Sequence, residues 1–166
     1  MKKTIYIIDA HAYIHRAYHA LPVLTTSKGV AVNAVYGFLR LLIKILRDRK
    51  PDFLAICFDY PAPTFRHSLY PDYKANRKEI EPSLKEQIPL ARKIVEEMGF
   101  PIYEKSGFEA DDVIGTISVQ AKKMGLKSVV VTGDKDSLQL INEDVSVYNE
   151  HKDILWDEQR VANEFG

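Results

Sequence analysis

The sequence predicts an α/β domain on a largely parallel central sheet flanked by helices, and three observations carry that prediction. Short β-branched apolar runs alternate with amphipathic helical stretches along the whole chain. The runs are apolar on both faces, as strands covered by helices on each side must be. Three of them give way to aspartates, at Asp9, Asp59 and Asp134.

Thr4 to Ile8 is the first strand. Ala10 to Ala20 reads as a helix carrying Tyr13, His15, Arg16 and His19, and the Pro/Thr/Ser/Gly-bearing stretch Leu21 to Ala31 as a loop. Val32 to Arg49 is a longer helix with Val35, Phe38, Leu39, Leu42, Ile43 and Leu46 on its buried face, and Pro51 stops it. Phe53 to Phe58 is the second strand. From 60 to 81 the periodicity disappears and proline, tyrosine and basic residues take over, so a long basic loop or arch is expected. Pro82 opens a helix to about Met98, and Pro101 to Glu104 reads as a short edge strand. The spacing of Ala110, Val113, Ile114, Ile117 and Ala121 predicts a helix from Glu109 to about Lys123. Lys127 to Thr132 is another central strand, followed by a helix through Leu138, Leu140 and Ile141. Val145 to Tyr148 and Ile154 to Trp156 read as a hairpin-like pair, with Asp157 capping a last helix.

A chain of 166 residues suffices for one domain with a sizeable core. Formal net charge is zero, so a nucleic-acid partner would have to meet a local patch. The single Cys57 excludes an internal disulfide, suits a reducing, cytoplasmic compartment, and reads as a small buried thiol. No apolar run approaches membrane-spanning length, so no membrane partner is expected.

In open α/β sheets, ligands bind outside the carboxyl ends of the strands. Asp9, Asp59, Asp134 and Asp136 leave strand ends there, and Glu109, Asp111 and Asp112 open a helix at the same rim. Taken singly, each is a natural helix cap or turn residue. Capping does not explain why all seven share one edge, where they would repel one another without positive charge. Oxygen donors in that number suit Mg²⁺ or Mn²⁺ rather than zinc. A pair of such ions would activate water and stabilise the leaving oxygen of a phosphodiester.

The loop adds Arg66, His67, Tyr70, Tyr73, Lys74, Arg77 and Lys78 against one acid, Asp72. Cations meet phosphates and rings stack on unpaired bases, although a solvated surface loop would account for the composition alone. Beside an acidic metal site the balance moves to substrate handling. Arg16 is a weaker phosphate contact, and a structural role is at least as well supported for His11, His15 and His19. The P-loop and dinucleotide fingerprints are missing, and Asp9-Ala10-His11 lacks the second aspartate of an aspartyl phosphatase.

The motifs IIDAHAYIHRAYHALP, CFDYPAPTFRHSLYPDYKANR, GFEADDVIGT and VVVTGDKDSLQL span almost the whole chain. Together they resemble the N-terminal part of the 5′ nuclease domain of bacterial DNA polymerase I and its flap-endonuclease relatives, with a PIN-like, resolvase-like fold. The resemblance implies a 5′-3′ exonuclease or flap endonuclease acting in DNA replication and repair on 5′-flap, nicked or frayed DNA. By position, Asp9, Asp59, Glu109, Asp111, Asp112, Asp134 and Asp136 match the family's metal-site carboxylates. Lys74 and Arg77 match the base of its helical arch, as contacts to the scissile phosphate, with Arg66 and Tyr73 in support. Ala10 stands where the family commonly has glycine. The family also continues into a helix–three-turn–helix segment that grips duplex DNA and supplies two more aspartates, and nothing here matches it. A monomer with weak or absent turnover by itself is expected, either as a piece of a longer chain or with its missing half, or a polymerase domain, coming from elsewhere. The alternatives are a PIN-type ribonuclease and a non-catalytic nucleic-acid- or metal-binding module.

Overall fold

A computed structural model of the chain describes residues 2–76 and 79–166. Arg77 and Lys78, two of the cations expected to meet phosphate, lie outside the described residues. Strands β1 (Thr4–Asp9), β2 (Phe53–Cys57), β3 (Ile102–Tyr103), β4 (Lys127–Val131), β5 (Val145–Asn149) and β6 (Ile154–Trp156) form one sheet in the order β3-β2-β1-β4-β5-β6. The first five run parallel, and β6 returns antiparallel to β5 as the expected hairpin-like pair. Pro101, which lacks a donor, precedes the edge strand β3 but still accepts from the Ile56 amide at 3.1 Å.

The helices are α1 (Ala10–Ala20), α2 (Asn33–Lys44), α3 (Phe65–Leu69), α4 (Pro82–Glu97), α5 (Ala110–Lys123) and α6 (Glu158–Phe165). Side-chain alternation along each central strand distributes them into two layers. Ile8, Ile56 and Val131 point to one face and pack with Ile14 of α1, Phe38 and Leu42 of α2 and Leu84 of α4. Their neighbours Ile7, Ala55 and Val130 point to the other face and pack with Ala110 and Ile114 of α5. Cys57 is fully buried in that second layer. No helix among the described residues is long and apolar enough to cross a membrane.

Two close contacts fix α2. A Cβ added to Gly37 would sit 2.5 Å from the Ala17 Cβ, so α1 and α2 touch where only glycine fits. Val32 offers the start of α2 no capping side chain. The cap comes instead from Gln87 of α4, 1% exposed, whose Oε1 accepts from the Ala34 amide at 2.8 Å. Gln87 Nε2 donates to Asn33 Oδ1 at 3.1 Å, and Asn33 Nδ2 donates to the Tyr18 carbonyl at 3.0 Å.

Three elements differ from the sequence expectation. The helix expected to reach Arg49 keeps α-helical pitch only to Lys44, then widens into a π-helical turn over Ile45–Arg49. Lys50, left-handed at φ 45°, releases the chain there toward Pro51. Within the aperiodic stretch, α3 forms because the Thr64 amide donates to His67 Nδ1 at 3.1 Å and the Phe65 amide to the Gly107 carbonyl at 2.9 Å. The helix expected after β4 is a tight 3₁₀ turn, Lys135–Leu140. Its last bond runs from the Ile141 amide to the Leu138 carbonyl, three residues back, before the chain must re-enter the sheet.

Candidate functional site

Because β1, β2 and β4 are parallel, their carboxyl ends share one edge. Asp9 is the last residue of β1, Asp59 lies just beyond β2, Asp134 lies just beyond β4, and α5 opens after β3. Asp9 is 5% exposed. Its Oδ1 accepts from the Ala12 amide at 3.1 Å, capping α1, and its Oδ2 accepts from Thr132 Oγ1 at 2.8 Å. Burial pushes this carboxyl up to about 6, against both hydrogen bonds, and the charges of Asp111 and Asp59 add to the rise.

Asp111 is raised as well, by burial first and then by Asp134, Asp59 and Glu109, with Lys74 opposing. Asp59 caps α5, its Oδ1 accepting from the Ala110 amide at 2.7 Å. The Asp59 amide in turn donates to His11 Nδ1 at 3.1 Å, so that nitrogen carries no proton. Burial lowers the His11 pKa, against the pull of Asp59 and Glu104. Asp134 Oδ1 accepts from the Asp136 amide at 2.9 Å, and the Asp136 carboxylate faces solvent.

The other two acids are held differently. Arg66 grips Asp112 with both guanidinium nitrogens, each at 2.7 Å. That pair, before any other influence, holds the Asp112 carboxyl below the usual carboxylate range. Glu109 accepts from Lys74 Nζ at 2.6 Å and from the Tyr73 hydroxyl at 3.2 Å. The segment from Thr64 to Asn76 is thus folded back onto the first turn of α5. This bears on two sequence expectations. Arg66 and Lys74, expected to meet phosphate, pair with acids of the chain itself, and Tyr73 donates its hydroxyl to one of the same acids. Among the described residues, no three of the seven expected acids stand close enough together to enclose an ion. Asp9, Asp59, Asp111 and Asp134 remain as the carboxylates whose charges press on one another.

Tyr70 is 62% exposed and turned to solvent. Arg16 reaches the rim from α1, its Nη1 3.5 Å from the position that a Cβ on Gly133 would take. Arg66, Tyr73, Glu109, Asp111, Asp112 and Asp136 help line an open cleft of about 650 Å³ along α5. Sequence reading missed Thr132, 1% exposed, whose hydroxyl accepts from the Asp134 amide at 3.1 Å while donating to Asp9. Its signal was its place as the last buried residue of the strand run, two positions before Asp134. His11, expected to be structural, does hold the Asp59 backbone.

The model of the 5′-3′ exonuclease N-terminal resolvase-like domain matches residues 4–166. The chain belongs to that family. A 5′-3′ exonuclease of Aquifex aeolicus is 42% identical over 164 residues, covering 99% of this chain and 57% of that protein. A DNA polymerase I of Caldicellulosiruptor bescii is 45% identical over 141 residues, covering 85% of this chain and 17% of that protein. The chain therefore spans little more than half of one of these relatives and a small part of the other. In fold, it resembles a T5 protein co-crystallised with metal ions, with a TM-score of 0.77 at 17% identity, covering 97% of this chain and 60% of that one.

Proposed function

We propose that the chain is the catalytic core of a Mg²⁺-dependent 5′ nuclease that hydrolyses DNA phosphodiesters at 5′ flaps, nicks or frayed ends. The observation that carries this reading is the rim itself. A buried aspartate held by two hydrogen bonds shares that edge with Asp59, Asp111 and Asp134, and none of these four has a Lys or Arg partner at salt-bridge distance among the described residues. A donor set of carboxylate oxygens, two of them on groups whose pKa is raised by burial and by neighbouring acids, fits a hard divalent cation.

Asp9, Asp59, Asp111 and Asp134 would draw together to hold the ion, with Glu109, Asp112 and Asp136 as outer or shared ligands. Bound there, the metal would supply activation of water and shielding of phosphate charge. Asp9 must give up its proton to serve, which makes metal affinity rise with pH through about 6. Thr132 and His11 keep the Asp9 carboxylate and the Asp59 backbone in place. Lys74 and Arg77, with Arg66 and Tyr73, would complement the charge of the scissile phosphate, and Tyr70 would stack on a base. A monomer in the cytoplasm, joined to or working beside a polymerase, is the setting this reading implies.

Melting in EDTA, Mg²⁺ and Mn²⁺, for wild type and Asp111→Asn, tests the metal site. A rise at millimolar metal that Asp111→Asn abolishes is expected, and no rise in the wild type refutes the site. Cleavage of 5′-flap DNA against single-stranded RNA then tests the substrate, and a preference for RNA would make the chain a PIN-type ribonuclease instead.

A further inference from the structure

A second cavity, of about 400 Å³, opens between α1, α2 and the turn after β5, and it shares Arg16 with the rim at Gly133. Its lining carries Arg16, Arg40, Lys44, Arg47 and His151, and among the described residues Glu150 is its one carboxylate. Glu150 pairs with Lys44 at 2.7 Å, and Arg47 pairs with its exposed neighbour Asp48 at 2.6 Å. Arg16 and Arg40 have no carboxylate partner among the described residues, and Arg40 lies over the exposed Tyr36 ring at 5.8 Å. Tyr36, Arg40, Lys44 and Arg47 follow one another at spacings of four, four and three, which aligns them on one stripe of α2 and its continuation.

The cavity floor adds a donor. Tyr13, 5% exposed, accepts from the Glu150 amide at 3.1 Å, and among the described residues its own O–H has no acceptor. Burial, before the nearby Glu150 and Asp9 charges, raises the Tyr13 pKa, so the hydroxyl keeps its proton. Protonated hydroxyl, guanidinium and ammonium groups around one cavity make a site for anions, and this chain, with net charge zero, otherwise has no general attraction for them.

We infer that this cavity and the α2 stripe bind the phosphates of a nucleic-acid strand as it leaves the acidic rim on the β4–β5 side. Arg40 to Arg47 covers roughly 10 Å of helix, more than one phosphate can occupy, so the ligand is a run of backbone phosphodiesters rather than a single terminal phosphate. The inference rests on the nuclease reading for the identity of the strand, but its chemistry is that of the cavity alone. Arg16, which touches both places, would carry the strand from one to the other.

The test is binding of a fluorescent nicked duplex, with Ca²⁺ in place of Mg²⁺, as a function of salt, for wild type and Arg40→Glu/Arg47→Glu. Each is made with a 5′-phosphorylated and a 5′-hydroxyl oligonucleotide. The double variant should lose affinity at least about tenfold and flatten the salt slope by about 2, equally for both ends. It should melt like wild type and keep the metal-induced rise, which separates lost binding from lost folding. Unchanged affinity and slope overturn the inference while leaving the nuclease reading intact. Loss confined to the 5′-phosphorylated strand overturns the backbone assignment in favour of a terminal-phosphate pocket. Loss of binding in the variant of a protein whose wild type shows no metal-induced rise leaves the cavity standing as a nucleic-acid site and refutes the nuclease reading.

Discussion

Replacing Asp9 by asparagine should make the metal-free protein more stable, and the gain should depend on pH. The carboxyl titrates near 3.8 when solvated and is pushed up to about 6 in the fold. Between those values the folded state binds more protons than the unfolded state, so stability falls as pH rises through that window. The contribution is fully present below about pH 4 and lost above about pH 6. A shift of about two pH units corresponds to about 3 kcal/mol at pH 8. Asparagine removes the charge but leaves one of the two bonds, to the Ala12 amide or to Thr132, poorly made, which returns about 1 kcal/mol. A net gain of about 2 kcal/mol raises the melting temperature of a chain this size by about 4–8 °C. Thermal melts in EDTA at pH 8 and pH 4 read it directly. At pH 4 the variant should equal or fall below wild type. Millimolar Mg²⁺ at pH 8 should then narrow or reverse the difference, since only wild type gains a ligand. A variant no more stable than wild type at pH 8, or equally favoured at both pH values, would refute the account of Asp9 as a buried charge awaiting a cation.

Arg66→Ala should destabilise the protein by about 1–2 kcal/mol at pH 7, since it strands Asp112 at the mouth of α5. Asp112 is depressed, so its contribution is present above the ordinary carboxylate range and lost as pH falls through the lower folded value; urea midpoints at pH 7 and pH 3 should converge. Thr132→Val removes a donor from Asp9 and an acceptor from the Asp134 amide, at a cost of about 2 kcal/mol, and should weaken the Mg²⁺-induced rise in melting temperature. Gly37→Ala should lower stability by about 2 kcal/mol in denaturant titration, although alanine is the better helix former, because the added methyl meets Ala17.

Much of this architecture was legible in the sequence, for identifiable reasons. Strands whose residues are buried on both faces announce themselves as unbroken apolar runs, and the pleat then fixes that Ile7 and Ile8 serve opposite layers. The acids of the rim were legible because parallel strands put their carboxyl ends together whatever the loops do. Which acids stay unpaired was not legible. The partnering of Arg66 with Asp112 and Lys74 with Glu109 depends on where an aperiodic segment folds back, and no local pattern encodes that. The 3₁₀ turn at Lys135–Leu140 was hidden for a different reason, since an apolar spacing over six residues serves either helix. Gln87 reads as an ordinary surface glutamine until α4 is docked on α2.

That glutamine also sets an order of events in time. The first turn of α2 has no cap of its own, and its amide partner is 53 residues further along the chain. A helix of this length is marginal until something closes its end. While the chain is being made, the first turn of α2 must therefore fray until α4 has emerged and docked. The amides of Ala34 and Val35 should exchange with solvent in step with those of α4, as one cooperative unit.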